Sequence, residues 1–154
     1  MQEKTKIGFI GYGYVGSVWG EHLKKNEGYV QGQDLFCFDP PKGMVDDIYE
    51  AEIVVICVPT PADKKGQCDL SIVHEAIERA EKGQWIVIRS TVPPMTTARL
   101  AKKYPDRKGF IFIPEFLTEA RAYEDFCHPD RTIIAPAGRE CQAVATLLSL
   151  LPRA

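Results

Sequence analysis

Short apolar runs alternate along the chain with longer segments whose apolar positions recur every three or four residues, the rhythm of strands each followed by an amphipathic helix. Lys6–Ile10 (KIGFI) predicts a first strand. Residues 14–26 predict a helix, because Val15, Val18, Trp19 and Leu23 form one stripe and Gly28 stands where a helix end favours glycine. Leu35–Phe38 predicts a second strand. Ile53–Val58 (IVVICV) is almost wholly apolar, as a strand covered on both faces must be, and Pro59 and Pro61 stop it. The polar segment 62–68 predicts an exposed loop, after which Asp69 or Ser71 is placed to cap a helix running to about Lys82, closed by Gly83. Trp85–Arg89, Phe110–Ile113 and Thr132–Ala135 predict three more strands, with a helix over about Met95–Lys103 and a last one over about Arg139–Leu151. The alternation implies an α/β fold in one domain over 1–154: a doubly wound, mostly parallel six-stranded sheet with helices on both faces. Its ligand crevice is expected at the carboxyl ends of the strands.

Directly behind the first strand stands GYGYVG, with Gly11, Gly13 and Gly16 at GxGxxG spacing and a helix opening at once. Gly11 permits a tight turn, Gly13 removes a side chain where backbone must approach a diphosphate, and Gly16 lets helix and strand pack closely. The free amides and partial positive charge of the helix start suit phosphate. A glycine turn alone is weak evidence, so its context decides. Asp39 ends the second strand, 23 residues past Gly16, where a carboxylate can accept hydrogen bonds from ribose hydroxyls. Strand, glycines, helix, strand and acid in this order imply a Rossmann-type dinucleotide site. Asp39 favours NAD over NADP, because a carboxylate repels a 2′-phosphate. Lys42, in the next loop, reads either as a solvated lysine or cover for the adenine, or as a partner for a 2′-phosphate.

Composition narrows the class further. The chain is 45% hydrophobic and 26% charged, with a net charge of −2 and scattered Lys and Arg, which excludes a dedicated nucleic-acid surface. No run approaches a membrane span and the basic start leads into no signal-type segment, so a soluble, cytoplasmic protein is expected. Cys37, Cys57, Cys68, Cys127 and Cys141 contain no CxxC pair, which points to no metal and to a reduced setting. Cys37 and Cys57 read as small core residues in strands, Cys68 as a loop residue and Cys141 as part of the last helix. Cys127 beside His128 reads as packing or loop, and His22 and His74 as helix-surface residues.

Several motifs in order make the chain resemble the UDP-glucose/GDP-mannose dehydrogenase family in its N-terminal, NAD-binding part. GYGYVG matches the family's glycine loop, including Tyr12, Tyr14 and Val15. VPTP (Val58, Pro59, Thr60, Pro61) follows the third long strand as the family's proline-bounded turn does. STVPP, beginning at Ser90 and Thr91, is similar to STVPPGT. PEFLTE, with Glu115, Phe116, Leu117 and Glu119, is similar to PEFLREG, and Ala122, Asp125 and Pro129–Arg131 follow at family-like offsets. The sequence departs from the pattern at Met95, where the family usually has glycine, and at Ile113, where it usually has asparagine or serine.

The resemblance implies oxidation of a sugar C6 alcohol to a carboxylate with NAD. Glu115, Phe116 and Leu117 would meet substrate, Glu115 and Glu119 would position substrate or water, and Thr91 would order water. The cofactor set would include the glycine loop, Asp39, Lys42, VPTP, Ser90, Thr91 and Glu119. Plainer readings stand beside these: Glu115 and Glu119 could share the first turn of a helix, and Thr91 could cap a strand end. The family's nucleophilic cysteine, in a GGxCFPKD-like motif, and its oxyanion-stabilising lysine have no counterpart here. Three expectations follow: the cofactor portion of a nucleotide-sugar 6-dehydrogenase, needing a C-terminal half to use UDP-glucose or GDP-mannose; a stand-alone NAD-binding module acting through a partner; or another NAD-dependent dehydrogenase, against which PEFLTE speaks. Without the family's central helix, an exposed apolar face is expected near Leu147–Pro152, with association into a homo-oligomer or with a partner chain.

Overall fold

A computed structural model describes residues 3–138 and 141–154. Five strands run parallel: β1 (Ile7–Ile10), β2 (Leu35–Asp39), β4 (Ile53–Ile56), β5 (Trp85–Ile88) and β6 (Gly109–Phe112). Two short strands, β3 (Met44–Val45) and β7 (Ala135–Pro136), pair antiparallel on the outer edges. The order across the sheet is β3-β2-β1-β4-β5-β6-β7. The chain leaves β1 for β2 on one side and returns to β4 on the other, which opens a crevice where β1 and β4 end.

Helices cover both faces. α1 (Tyr14–Asn26), α4 (Ala122–Cys127) and α5 (Cys141–Leu150) pack on one, where Trp19, Phe126 and Leu147 join Phe9, Val55 and Ile111 in a single apolar layer. α2 (Ser71–Arg79) and α3 (Thr96–Lys103) pack on the other, where Val73, Ile77 and Leu100 meet Val54, Ile56 and Phe110. β1 and β4 lie between two apolar layers, so every one of their residues is buried. No helix among the described residues is long and apolar enough to cross a membrane.

The α/β, mostly parallel architecture agrees with the pattern, and the predicted first helix matches α1 residue for residue. Seven strands replace the expected six. The turn Pro40–Lys42, with Gly43 at φ 72°, folds Met44 and Val45 back onto Phe38 and Asp39 as β3, a two-residue pairing too short to leave an apolar period. The expected strand at Thr132–Ala135 is replaced by β7, shifted to Ala135–Pro136 and antiparallel, while Thr132 and Ile133 are exposed. α4 was not anticipated. Arg139, the expected start of the last helix, lies outside the described residues. The expected apolar face near Leu147–Pro152 is largely covered: Leu147, Leu150 and Leu151 are buried against Trp19 and Phe126, and Leu148 alone of these leucines is exposed.

Candidate functional site

The glycine loop is built from two packed glycines and one open one. Gly11 has φ 83° and donates its amide to the Phe38 carbonyl at 2.9 Å; a Cβ there would lie 2.6 Å from the Cys57 carbonyl oxygen. A Cβ on Gly16 would lie 2.5 Å from the Gly11 carbonyl oxygen. A Cβ on Gly13 would meet nothing within 4 Å. Gly11 and Gly16 therefore serve the fold, whereas Gly13 keeps open space above the loop. α1 starts at this point without a side-chain cap, so helix geometry leaves the amides of Gly13, Tyr14, Val15 and Gly16 without intrahelical acceptors. An open cradle of free amides fits a diphosphate group.

The end of β2 braces this loop. The Tyr12 amide donates to Asp39 Oδ2 at 2.8 Å, and Lys42 Nζ donates to the Tyr12 carbonyl at 2.8 Å. Only the backbone of Tyr12 is offered to the crevice, because its ring is buried edge-on to Phe9 and burial pushes its phenol pKa up. Asp39 spends one carboxylate oxygen on the loop and stands half-buried at the end of β2. Lys42 lies at the surface with one of its three donors engaged.

A cavity of about 360 Å³ runs from Gly13, Tyr14 and Val15 past Cys57, Val58, Pro59 and Thr60 to Arg89, Ser90, Thr91 and Glu115. Side chains tie its far wall together. Ser90 Oγ donates to the Val58 carbonyl at 2.7 Å, Thr60 Oγ1 to the Thr91 carbonyl at 2.6 Å, and Cys68 Sγ approaches that same carbonyl at 3.9 Å. The ends of β4 and β5 are thereby held at one spacing. Pro61 stands outside the cavity, its carbonyl accepting the Asp69 amide at 2.8 Å, and Asp69 Oδ1 accepts the Ser71 amide at the start of α2.

A second cavity of about 330 Å³ lies beyond, where Arg89, Glu115, Phe116 and Leu117 face Arg131 and Leu151. Glu115 belongs to both cavities, and its Oε2 accepts the Leu117 amide at 2.7 Å. Phe116 is half exposed and stacks under the Arg131 guanidinium at 5.2 Å. Glu119 is not brought to either cavity. It sits exposed on a 3-10 turn (Glu119–Arg121) and lines a separate depression with Tyr123 and Cys127. Glu115 and Glu119 share no helix, since Glu115 precedes that turn in irregular chain.

Two residues of the cavity wall were not singled out in the sequence. Cys57, in an apolar run, reads as core, yet it faces the cavity, and burial pushes its thiol up to about 12. Arg89 reads in the sequence only as the end of a strand, yet it is 5% exposed and lines both cavities. A charged residue closing the apolar run WIVI was the available clue. The histidines also differ from expectation. His22 is half-buried beside Phe126 and Cys127 Sγ, and His74 Nδ1 pairs with the Tyr104 hydroxyl at 2.9 Å.

Residues 42–150 match the family model described as the UDP-glucose/GDP-mannose dehydrogenase family, NAD binding domain. The UDP-glucose 6-dehydrogenase of Rickettsia bellii is 39% identical over a stretch covering 64% of this chain and 24% of that protein. Its counterpart from Rickettsia typhi is 32% identical over 90% of this chain and 40% of its own length. The chain thus spans less than half the length of these relatives. Among solved structures, a UDP-glucose dehydrogenase from Pyrobaculum islandicum superposes with a TM-score of 0.73 at 23% identity, covering 96% of this chain and 44% of that one. A GDP-mannose dehydrogenase from Pseudomonas aeruginosa, solved as a ternary complex, gives 0.68 at 22% identity, covering 94% and 43%. At such identities the superpositions establish the shared fold.

Proposed function

Because this chain belongs to the UDP-glucose/GDP-mannose dehydrogenase family and carries its NAD-binding domain, we propose that it holds NAD for a nucleotide-sugar 6-dehydrogenase and is not catalytically complete alone. The observation that carries this reading is the continuous cavity from the open amides at Gly13 to Thr91 and Glu115. Along it, the amides of Gly13 to Gly16 hold the diphosphate and Val58 to Thr60 with Ser90 line the way to the nicotinamide, while Asp39, bonded to the loop outside the cavity lining, holds the adenosine ribose. The bound nicotinamide supplies the hydride acceptor. Thr91 orders water at that end, and Glu115 positions the sugar alcohol or a water, with Phe116 and Leu117 against the substrate. Glu119, lying on its own turn, takes part only after a movement of that turn.

The chemistry in this chain stops short of a full reaction. A covalent step on sulfur needs a thiolate, and the cavity-facing Cys57 is held protonated at neutral pH by burial. The family's cysteine motif and central-helix lysine are supplied by a C-terminal half, whether in the same polypeptide or a partner chain. Only with that half does the site take UDP-glucose or GDP-mannose.

Calorimetric titration tests the proposal. NAD is expected to bind the purified chain, and neither UDP-glucose nor GDP-mannose to yield NADH until a polypeptide carrying the cysteine motif is added. Absence of NAD binding, or turnover by this chain alone, would overturn it. Binding of NAD with no restoration by any such polypeptide would instead favour the stand-alone module.

A further inference from the structure

Arg89 is almost completely buried, yet no carboxylate comes within ion-pair distance of it among the described residues, and its Nε has no hydrogen-bond partner. Its guanidinium is flanked by the rings of Trp19 and Phe126, 5.4 and 5.7 Å from their centroids. A buried cation is costly unless it is paired and hydrogen-bonded, and aromatic faces offset only part of that cost. Burial lowers the Arg89 pKa, opposed by Cys57 and Glu115, but a guanidinium keeps its proton in any such setting. Cys57 carries no charge to answer it, and Glu115, whose Oε2 accepts the Leu117 amide, acts on Arg89 through its charge without coming within ion-pair distance. A forked, always-charged donor with unmet hydrogen-bonding capacity therefore stands in the wall of both cavities.

We infer that Arg89 anchors an oxyanion site at the junction of the two cavities, one that takes the carboxylate or phosphate group of a small ligand. The planar guanidinium matches either group through two parallel hydrogen bonds. Arg131 adds a second positive charge to the far cavity from above Phe116. Of the two aspartates in that cavity, Asp125 is occupied by the Thr118 amide at 2.8 Å and by Arg121 at 3.8 Å, and Asp130 stands exposed at the rim. The site is separate from the diphosphate cradle at α1 and exists whether or not the chain ever meets a nucleotide sugar.

The test reads Arg89 directly, through its Nε–H NMR signal, during titration with inorganic phosphate, with glucuronate and with glucose as the uncharged control. A saturable shift with phosphate or with glucuronate, and none with glucose, is expected; the anion that produces it identifies the ligand class. Calorimetry on Arg89→Met should show that anion binding about tenfold weaker or more, while Arg89→Lys retains part of it. No shift with either anion, or equal affinity in Arg89→Met, would overturn the inference. Should Arg89→Met fail to fold, the wild-type signal decides alone. NAD is titrated on the same preparation: loss of NAD binding with the anion shift intact would sink the proposed function and leave this site standing.

Discussion

Asp39 and Tyr12 are joined by a 2.8 Å hydrogen bond from the Tyr12 amide to the Asp39 carboxylate, so the acid at the end of β2 also fixes the shape of the glycine loop. In the function proposed above, one residue thereby links cofactor choice to loop geometry. Asp39→Ala should lower stability by about 1–2 kcal/mol, the cost of leaving that amide without its charged acceptor, and weaken NAD at least about tenfold. Asp39→Asn keeps an acceptor for Tyr12 but loses the charge that repels a 2′-phosphate, so its NADP-to-NAD affinity ratio should rise. Urea unfolding and calorimetry separate the two effects; an unchanged ratio in Asp39→Asn would remove the electrostatic account of cofactor choice.

The glycines should split cleanly into folding and binding roles. Gly13→Ala puts a methyl group into open space, so its melting temperature should stay near wild type while NAD affinity falls about tenfold or more. Gly16→Ala forces a contact at 2.5 Å with backbone and should destabilise the chain by about 2 kcal/mol or more before any ligand is added. Equal losses of stability in both variants would contradict the geometry of the loop.

Met95 sits at φ 66° just before α3 and is the one positive-φ residue other than glycine among the described residues. The left-handed conformation costs an L-residue roughly 1–2 kcal/mol, part of which glycine returns as unfolded-chain entropy. Met95 is 68% exposed, so its side chain contributes little packing. Met95→Gly should accordingly raise stability by about 0.5–1 kcal/mol, a rise of about 2 °C in Tm. Calorimetric melting that showed no gain would disprove the strain.

Burial lowers the His22 pKa below the ordinary imidazole value of 6.5, with Glu27 opposing. His74 is lowered too, by burial and by Lys103, with Glu78 opposing. For a folded pKa below the unfolded one, the unfolded chain binds more protons, so stability rises with pH. The contribution is complete above about pH 6.5 and is lost as pH falls from there towards the folded value. Urea midpoints should therefore drop between pH 7.5 and 5.5, and His22→Gln should flatten that slope. A slope unchanged in the variant would mean that His22 titrates alike in both states.

Much of this architecture was legible because its period is long and its chemistry local. α1 shows three turns of apolar stripe, and β4 an unbroken apolar run, so both declare themselves without tertiary information. Gly11, Gly13, Gly16 and Asp39 stood out because the order of strand, glycines, helix, strand and acid is written along the chain, although Gly11 meets Cys57 and Asp39 meets Tyr12 only in the fold. β3 and β7 could not, since two residues carry no period and Pro136 argues against a strand by the ordinary rule. Arg89 was hidden for another reason. Its isolation is set by Trp19 and Phe126, which the chain brings together only by stacking α1 and α4 on the same face.

The two-residue borders β3 and β7 have a further consequence for how this molecule meets others. An open parallel sheet advertises a ladder of unpaired amides on each flank, inviting a stranger's backbone to continue it. Here each flank ends in a stub, and one of the two, β7, contains a proline nitrogen with no proton to give. Lateral growth by strand addition is therefore discouraged at both margins, and any lasting assembly has to be written in side chains.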